Sequence, residues 1–366
     1  MCLLVSILFN NHYFYKELRF LIRYFNFLYL KMHLKNQIIS LLTRENIKHN
    51  VNLKFPLDYI IPVYHSVSNE KIPHLEHIIS YKNINNFEKD LDFLAKNFQF
   101  VNWDEFKDLQ KGNFKPKKKI ALLTFDDGLR EFYDVVAPIL ERKGIYAINF
   151  INPKFIDNKE LMFRCKASLV VDVLNKIRNL NPEIYKILET GLSSKEVLKQ
   201  KIKEISYKNR KVLDQIAKLL EIDFQEFLQH QKPYMALEQL KKISQKGFGI
   251  SNHGFDHPLY KDLTLHQQVE NTDQARHYIK QNNFIHESFA FPFTDFGVKQ
   301  EFFDEVFKNQ NLFCSFGCAG IKFDSFSKNF QRIPMENGKV AEQTLKEETA
   351  YFNLKKLFNK NTIRRI

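Results

Sequence analysis

The chain contains 366 residues, of which 44% are hydrophobic, and this content is ample for a folded core. Its formal net charge is +13, but lysines are spread through predicted helices, acidic residues are interleaved with them, and no nucleic-acid-binding motif is present. The composition therefore argues against a nucleic-acid partner, and diffuse positive charge suits a polyanionic glycan or an anionic membrane surface. The length fits either two domains or one α/β barrel.

Residues 1–50 predict an N-terminal helical extension, whose first 31 residues are rich in Phe, Leu, Tyr, Asn and Ile. Lys16, Arg19 and Arg23 interrupt this stretch, so no uncharged run reaches the roughly 18 residues that a membrane helix needs. The stretch is either an amphipathic membrane-surface helix, a poor anchor, or translated upstream DNA with Met32 as the true initiator, and we favour the last. Without a convincing export signal we expect a cytoplasmic protein, with membrane association through residues 1–31 as the alternative.

A strand over residues 59–64 ends at His65, and helices over residues 85–98 and 103–109 follow it. A basic loop then leads to an apolar strand at residues 120–125, which runs directly into Asp126, Asp127 and Gly128. Two adjacent carboxylates near an apolar floor repel each other and are poorly solvated unless a cation or a shared proton stabilises them. This arrangement favours a metal site at the end of the strand.

The next helix covers residues 130–143, and Pro138 predicts a kink or a late start in it. A strand over residues 146–151 completes a βαβ unit. Residues 155–235 predict an all-helical insertion over one rim of the fold. It shapes the substrate cleft, serves as a docking surface, or is a solvated bundle with no direct role.

A second polar motif follows a predicted strand over residues 248–251. Its sequence is Asn252-His253-Gly254-Phe255-Asp256-His257-Pro258. One helical turn would put the two histidines on the same face, and a loop could also bring them together. Two imidazoles and one carboxylate leave coordination positions open for water and substrate, which is typical of a catalytic metal site.

Thr124-Phe125-Asp126-Asp127-Gly128 and the segment from His253 to Pro258 resemble the first two motifs of the polysaccharide deacetylase family, the NodB-homology domain of carbohydrate esterase family 4. Residues 60–66, 146–152 and 289–293 are similar to further segments of that family, and the resemblance covers roughly residues 58–340. It implies an α/β fold, a distorted (β/α) barrel of the NodB-homology type, here with the all-helical insertion. The barrel would comprise residues 51–154 and 236–345, followed by a C-terminal helix or tail at 346–366.

The resemblance also implies roles for individual residues. Asp126 would be the general base, and Asp127, His253 and His257 would bind a divalent metal, with Zn²⁺ the first choice and Co²⁺, Ni²⁺ or Mn²⁺ as alternatives. A backbone N–H near Phe293, after Pro292, would stabilise the oxyanion. The chemistry of the residues gives the same division of roles between the two carboxylates, since a metal activates water while a carboxylate that is not bound to the metal removes the proton of that water.

Two positions depart from the family pattern. The arginine of the third motif is replaced by Ala290, and Arg332 on a late predicted strand is a candidate substitute that would lower the pKa of Asp126. The late Leu-x-His motif is also absent, since Ile333-Pro334-Met335 stands there, and His65 could supply the missing histidine.

The sequence therefore predicts a metal-dependent hydrolase that removes N-acetyl groups from N-acetylhexosamine units of a bacterial polysaccharide or its precursor. One alternative is the same fold acting on O-acetyl esters or another non-peptide C–N amide bond. Another is a catalytically silent barrel that binds a glycan or a partner protein. The four scattered cysteines predict reduced thiols and favour a reducing compartment.

Overall fold

The computed structural model describes residues 55–365, apart from residues 192 and 310. The predictions for residues 1–50, including the membrane-surface helix and the alternative start at Met32, lie outside the described residues. Within the described part of the chain, no helix is both long enough and apolar enough to span a bilayer.

The strands are short and mostly buried. They are β1 (Tyr59–Ile60), β2 (Pro62–Tyr64), β3 (Gln99–Phe100), β4 (Ile120–Ala121), β5 (Leu123–Asp126), β6 (Ala147–Ile151), β7 (Gly249–Asn252), β8 (Ser288–Ala290), β9 (Cys314–Gly317), β10 (Phe323–Asp324), β11 (Asn329–Gln331), β12 (Ile333–Pro334) and β13 (Thr362–Ile363).

Helices surround the strands and fill the long connection between β6 and β7. They are α1 (Ile84–Asn97), α2 (Trp103–Gln110), α3 (Ala137–Lys143), α4 (Phe163–Lys176), α5 (Glu183–Ile187), α6 (Lys195–Glu204), α7 (Lys211–Leu219), α8 (Phe224–Gln231), α9 (Leu237–Gln245), α10 (Leu265–Gln281), α11 (Gln300–Asn309) and α12 (Ala341–Leu357).

Eight parallel strands form one sheet in the order β11-β9-β8-β7-β6-β5-β2-β12. The strands at its two edges, β11 and β12, are consecutive in the chain and are separated only by Arg332. The backbone N–H of Arg332 donates to Gly317 on β9 (3.1 Å), whereas the N–H of Ile333 donates to Ile61 beside β2 (2.9 Å). The sheet therefore closes on itself at Arg332, and the predicted α/β barrel is confirmed.

The parallel register places the carboxyl ends of the strands at one rim. Tyr64 of β2 pairs with Phe125 of β5, so that His65 and Asp126 follow at the same level. Asp126 in turn pairs with Phe150 of β6. Polar residues that are distant in sequence therefore meet at the rim, as in other barrels whose sites lie at this face.

Aromatic and aliphatic side chains fill the interior of the barrel and the layer between strands and helices. Phe150 and Phe316 belong to a cluster inside the barrel, whereas Phe125 packs outward against Phe132, with ring centroids 5.0 Å apart. The helices between residues 163 and 231 share a separate apolar cluster that also includes Leu129. The region of the predicted insertion thus packs around one apolar cluster, to which Ile72, Leu75 and Leu129 from outside the insertion also contribute. The limits of the insertion at 155 and 235 remain a prediction.

The helix predicted over residues 130–143 begins differently from a regular α-helix. A π-helical turn, Phe132–Val136, precedes α3, and the N–H of Ala137 bonds the carbonyl of Phe132. Pro138 lacks an N–H and its ring would crowd the carbonyl four residues earlier, so the wider turn accommodates it. Helical backbone already begins at Arg130 and Glu131, so the start predicted at residue 130 is confirmed and the late-start alternative is wrong.

Candidate active site

Asp126, the last residue of β5, forms a two-pronged ion pair with Arg332. Nη1 of Arg332 donates to Oδ1 at 2.6 Å and Nη2 donates to Oδ2 at 2.8 Å, and the arginine side chain is 0% exposed. Its Nε also donates to the carbonyl of Gly317 (3.2 Å), and its guanidinium lies 5.5 Å from the centre of the Phe150 ring. The seam of the barrel thus places the predicted substitute arginine directly on Asp126.

This pairing determines the charge of Asp126. Burial raises the pKa of a carboxyl group, but the Arg332 guanidinium, together with the imidazoles of His253 and His65, outweighs burial and holds the pKa of Asp126 below its usual range. The pKa of Arg332 is correspondingly raised by Asp126 in spite of its burial. Asp126 is therefore ionised at neutral pH.

Asp127 points toward two imidazoles rather than toward the arginine. Its Oδ1 lies 3.2 Å from Nε2 of His257 and 3.5 Å from Nε2 of His253, and all three residues are buried. One ligand atom from each residue lies within 4.8 Å of the others. Zinc–nitrogen and zinc–oxygen bonds of about 2.1 Å put the ligands of a tetrahedral ion about 3.4 Å apart, so these separations fit a shared metal.

The hydrogen bonds around the cluster also fit a metal. Oδ1 of Asp127 and Nε2 of His253 are buried without a hydrogen-bond partner among the described residues. Nδ1 of His253 lies 2.9 Å from the carbonyl of Ala290, which favours a proton on Nδ1 and leaves Nε2 free as a ligand. Burial, aided by His257 and Arg332, lowers the pKa of His253 to about 4, so this imidazole is neutral as a metal ligand must be.

A loop, not a helical turn, brings the two histidines together. The backbone of this loop is held by amide side chains: Asn152 donates to the carbonyls of His253 and Gly254 at 2.7 and 3.0 Å. Asn271 accepts from the N–H of Phe255 at 2.8 Å. These bonds fix the loop geometry that the four-residue spacing left open.

Left-handed backbone conformations recur at this rim. The backbone φ angles of Asp127, His257 and Phe293 are 74°, 60° and 57°, respectively, and residues other than glycine rarely adopt such positive values. Gly128 follows with φ of 65°, and a Cβ there would lie 3.1 Å from Cγ2 of Ile151. Such conformations persist only where the surrounding structure enforces them, and they concentrate at functional sites.

His65 lies at the same rim, paired with a residue that the sequence did not single out. Its Nδ1 is 2.5 Å from Oε2 of Glu336, and the other oxygen of Glu336 accepts from the N–H of Ser66 at 3.0 Å. Burial lowers the pKa of His65, but Glu336 outweighs it, with smaller contributions from Asp127 and Asp126, and raises the pKa to about 9. The side chain remains 26% exposed, so the charged imidazole is not sealed in the interior of the barrel.

Phe293 lies beside the cluster formed by Asp127, His253 and His257. Its side chain is 40% exposed, and its ring centroid lies 4.5 Å from that of His257. The N–H of Thr294 donates to the carbonyl of Pro292 at 2.7 Å, so Phe293 occupies the centre of a tight three-residue turn. The structure therefore places Pro292 and Phe293 at the site, while the predicted oxyanion role of a nearby N–H stays a prediction.

The C-terminal strand reinforces the segment that follows Phe293. Arg365, after β13, forms ion pairs with the buried carboxylates of Asp295 and Asp324, and its Nη1 donates to the carbonyl of Asp295 at 2.6 Å. Gln331 also donates to Asp295 at 2.6 Å. This network lies between the Phe293 turn and the strand that precedes Arg332.

The model of the polysaccharide deacetylase family matches residues 113–297, which is half of the chain and includes both carboxylates and both histidines. The chain belongs to the polysaccharide deacetylase family. No curated protein matches this deacetylase-family chain significantly. The family and the fold together support deacetylation of a polysaccharide.

Solved structures agree on the fold of this deacetylase. The Streptococcus pyogenes deacetylase PplD in complex with acetate is 15% identical, with a TM-score of 0.51, covering 79% of this chain and 97% of that one. IcaB from Ammonifex degensii is also 15% identical, with a TM-score of 0.50, covering 80% and 97%. At this identity the likeness concerns the fold alone.

Sequence reasoning missed Glu336 and Arg365. Glu336 stands directly after Ile333-Pro334-Met335, the segment that replaces the family's late histidine motif, so its position was the available signal. Arg365 carried no local signal, because its partners are 70 and 41 residues away in the chain.

Proposed function

We propose that the protein is a metal-dependent hydrolase that removes the N-acetyl group from N-acetylhexosamine units of a polysaccharide or its precursor. The supporting observation is that the two adjacent carboxylates face different partners. Asp126 is paired with Arg332, whereas Asp127 faces His253 and His257. One carboxylate is thereby available as a base and the other as a ligand.

Asp127, His253 and His257 would hold the metal. A divalent ion at this position lowers the pKa of a bound water and polarises the acetyl carbonyl. Two imidazoles and one carboxylate suit Zn²⁺ first, and Co²⁺, Ni²⁺ or Mn²⁺ are alternatives with the same donor set.

Asp126 would accept the proton of the attacking water. Its Oδ2 lies 3.6 Å from Nε2 of His253, at the edge of the ligand cluster. Each carboxylate oxygen has two lone-pair sites, so the bond from Arg332 leaves one of them for a water. Because Arg332 keeps the carboxyl ionised, Asp126 is in the form that a general base requires.

His65 would donate a proton to the departing amine. Glu336 holds Nδ1 and raises the pKa of the imidazole to about 9, so the group is protonated at neutral pH. The breaking C–N bond needs such a donor, because an amine leaves far more readily than its anion. The His65–Glu336 pair would thus replace the family's late histidine.

Acetate release tests this proposal. N-acetylglucosamine oligomers and an O-acetylated xylan are offered to the wild-type chain, Asp126→Asn and His253→Ala, and bound metal is measured in each. Exposed Asp273→Asn and His266→Ala on α10 are matched controls, since the side chains are 57% and 87% exposed. Thermal unfolding checks that each variant folds.

The wild-type chain and both controls should release acetate from the N-acetylated oligomer. Asp126→Asn should retain metal but lose activity by roughly 10²-fold or more, the usual contribution of a positioned base. His253→Ala should lose metal as well. Acetate released from the O-acetylated xylan but not from the N-acetylated oligomer would identify an esterase. Bound metal without turnover of either substrate would contradict the proposed reaction.

A further inference from the structure

The helical insertion reaches the candidate active site through a series of aromatic rings. Phe293, which packs on His257, also contacts Phe163 at the start of α4, with ring centroids 6.3 Å apart. Phe163 in turn packs edge-on against Tyr207, between α6 and α7, at 5.9 Å. The rings therefore extend from the ligand cluster into the insertion.

A small cavity of about 180 Å³ lies at the far end of this series. Phe163, Tyr207 and Arg210 line it from the insertion, and Asp256 lines it from the loop that carries both histidines. This volume is below the roughly 300 Å³ at which drug-sized ligand pockets begin, so it suits a single ring rather than an extended ligand.

Most charges in the wall of the cavity are already paired. Lys154 lies 3.3 Å from Glu160 and 3.4 Å from Asp256, and Lys166 lies 2.8 Å from Asp214. Asp256 also accepts from the hydroxyl of Tyr207 and from Asn271. Each carboxylate of the wall therefore already has a cationic partner.

Two cations of the wall, Arg210 and the exposed Lys211, have no such carboxylate partner among the described residues, and Arg210 is the one held against an aromatic ring. Its guanidinium stacks on the Tyr207 ring at 3.9 Å and donates to the Tyr207 carbonyl at 2.8 Å, yet it forms no ion pair with a carboxylate among residues 55–365 as described. A planar guanidinium fixed against a ring presents its remaining N–H groups in a geometry that matches a carboxylate or a phosphate.

We propose that Phe163, Tyr207 and Arg210 form a subsite for a further sugar unit of the glycan, on the insertion side of the unit being deacetylated, and that this further unit carries an anionic group. The edges of the Phe163 and Tyr207 rings contact the apolar face of the sugar ring, and Arg210 binds the carboxylate or phosphate of that sugar. This inference rests on the proposed function, because the subsite is defined relative to the acetylated unit. The insertion thereby selects an acidic glycan.

The test measures binding by titration calorimetry on the full chain carrying Asp126→Asn, and on the wild-type chain treated with EDTA as a second background. Three oligosaccharides of equal length serve as probes: a neutral N-acetylglucosamine oligomer, an alternating N-acetylglucosamine–glucuronate oligomer, and an N-acetylglucosamine oligomer bearing phosphate. Each oligosaccharide is titrated into the chain that keeps Arg210, into the Arg210→Gln variant and into the Lys208→Gln variant. Lys208 is an exposed neighbour of Arg210, and its variant serves as the control.

At least one anionic oligomer should bind about tenfold or more tightly than the neutral one, as expected for a charge-assisted hydrogen bond. Arg210→Gln should remove this preference, and Lys208→Gln should retain it. A preference confined to the glucuronate or to the phosphate probe identifies the anion. Equal binding of all three probes, or a preference that survives Arg210→Gln, overturns the subsite.

The two proposals fail separately. Acetate release from the neutral oligomer without any anionic preference would keep the deacetylase and overturn the subsite alone. An Arg210-dependent preference with no acetate released by the metal-loaded wild-type chain from any of the three oligomers would keep the subsite as a glycan-binding site and overturn the proposed reaction.

Discussion

Replacing Arg332 by methionine gives the sharpest test of the pairing at the barrel seam. The change keeps a long side chain but removes the charge, leaving the Asp126 carboxylate buried beside the histidines. Removing one partner of a buried ion pair costs about 3–5 kcal/mol, so we expect a loss of this size in the free energy of unfolding at pH 7. Arg142→Met is the matched control: Arg142 is 63% exposed, its bond to Glu88 is at the surface, and its loss should cost at most about 1 kcal/mol.

The pH dependence separates charge from packing. In the wild-type fold the pKa of Asp126 is depressed, so its contribution to stability is present above the unfolded value of about 3.9 and is lost as pH falls through the folded value. In Arg332→Met, burial acts unopposed by the arginine and raises that pKa. Protonation then relieves the buried carboxylate, so the destabilisation should be largest near pH 7 and should shrink toward pH 4.

Urea unfolding at both pH values measures this difference, and the pH profile of acetate release provides a second readout. Because Asp126 must be ionised to act as a base, the acidic limb of the profile should move to higher pH in Arg332→Met. An equal destabilisation at pH 4 and pH 7 together with an unmoved acidic limb would refute the reasoning. Arg332 would then act only by filling the seam.

Three further changes test other parts of the site. Glu336→Gln should lower the pKa of His65, so that the basic limb of the activity profile moves to lower pH, and an unchanged limb would exclude His65 as the proton donor. Arg365→Ala should cost about 3–5 kcal/mol in urea unfolding because it leaves two buried carboxylates without their cation, and a loss below 1 kcal/mol would contradict that network. Gly128→Ala should destabilise by about 1–2 kcal/mol through its left-handed backbone, plus the cost of crowding Ile151. Gly112→Ala serves as the control, because Gly112 also has a left-handed backbone, with φ of 79°, but has open space around it, so this change measures the backbone cost alone. If Gly112→Ala and Gly128→Ala destabilise equally, the contact with Ile151 contributes nothing.

The position of Arg332 links closure of the barrel to the chemistry at its rim. The residue joins the two edge strands of the sheet, and its side chain holds Asp126 across the interior. Strain in the seam would therefore alter the charge environment of the proposed base.

The sequence alone determined the features that local pattern encodes. An apolar run ending in Asp126-Asp127-Gly128, and a second strand ending in His253 and His257, placed polar residues at strand ends and led to the family and the barrel. Periodicity and motif spacing suffice here, because a buried strand and its terminal residues occupy consecutive positions.

Tertiary structure decided which distant residues meet. Arg332 contacts Asp126 across 206 positions and Glu336 contacts His65 across 271 positions, and both contacts depend on the register at which the sheet closes. The sequence named Arg332 and His65 as candidates, but their catalytic roles remain predictions. The pairing of Glu336 with His65, and the series of aromatic rings that leads to Arg210, could not be derived, because no local pattern specifies which strand edges or helices pack together.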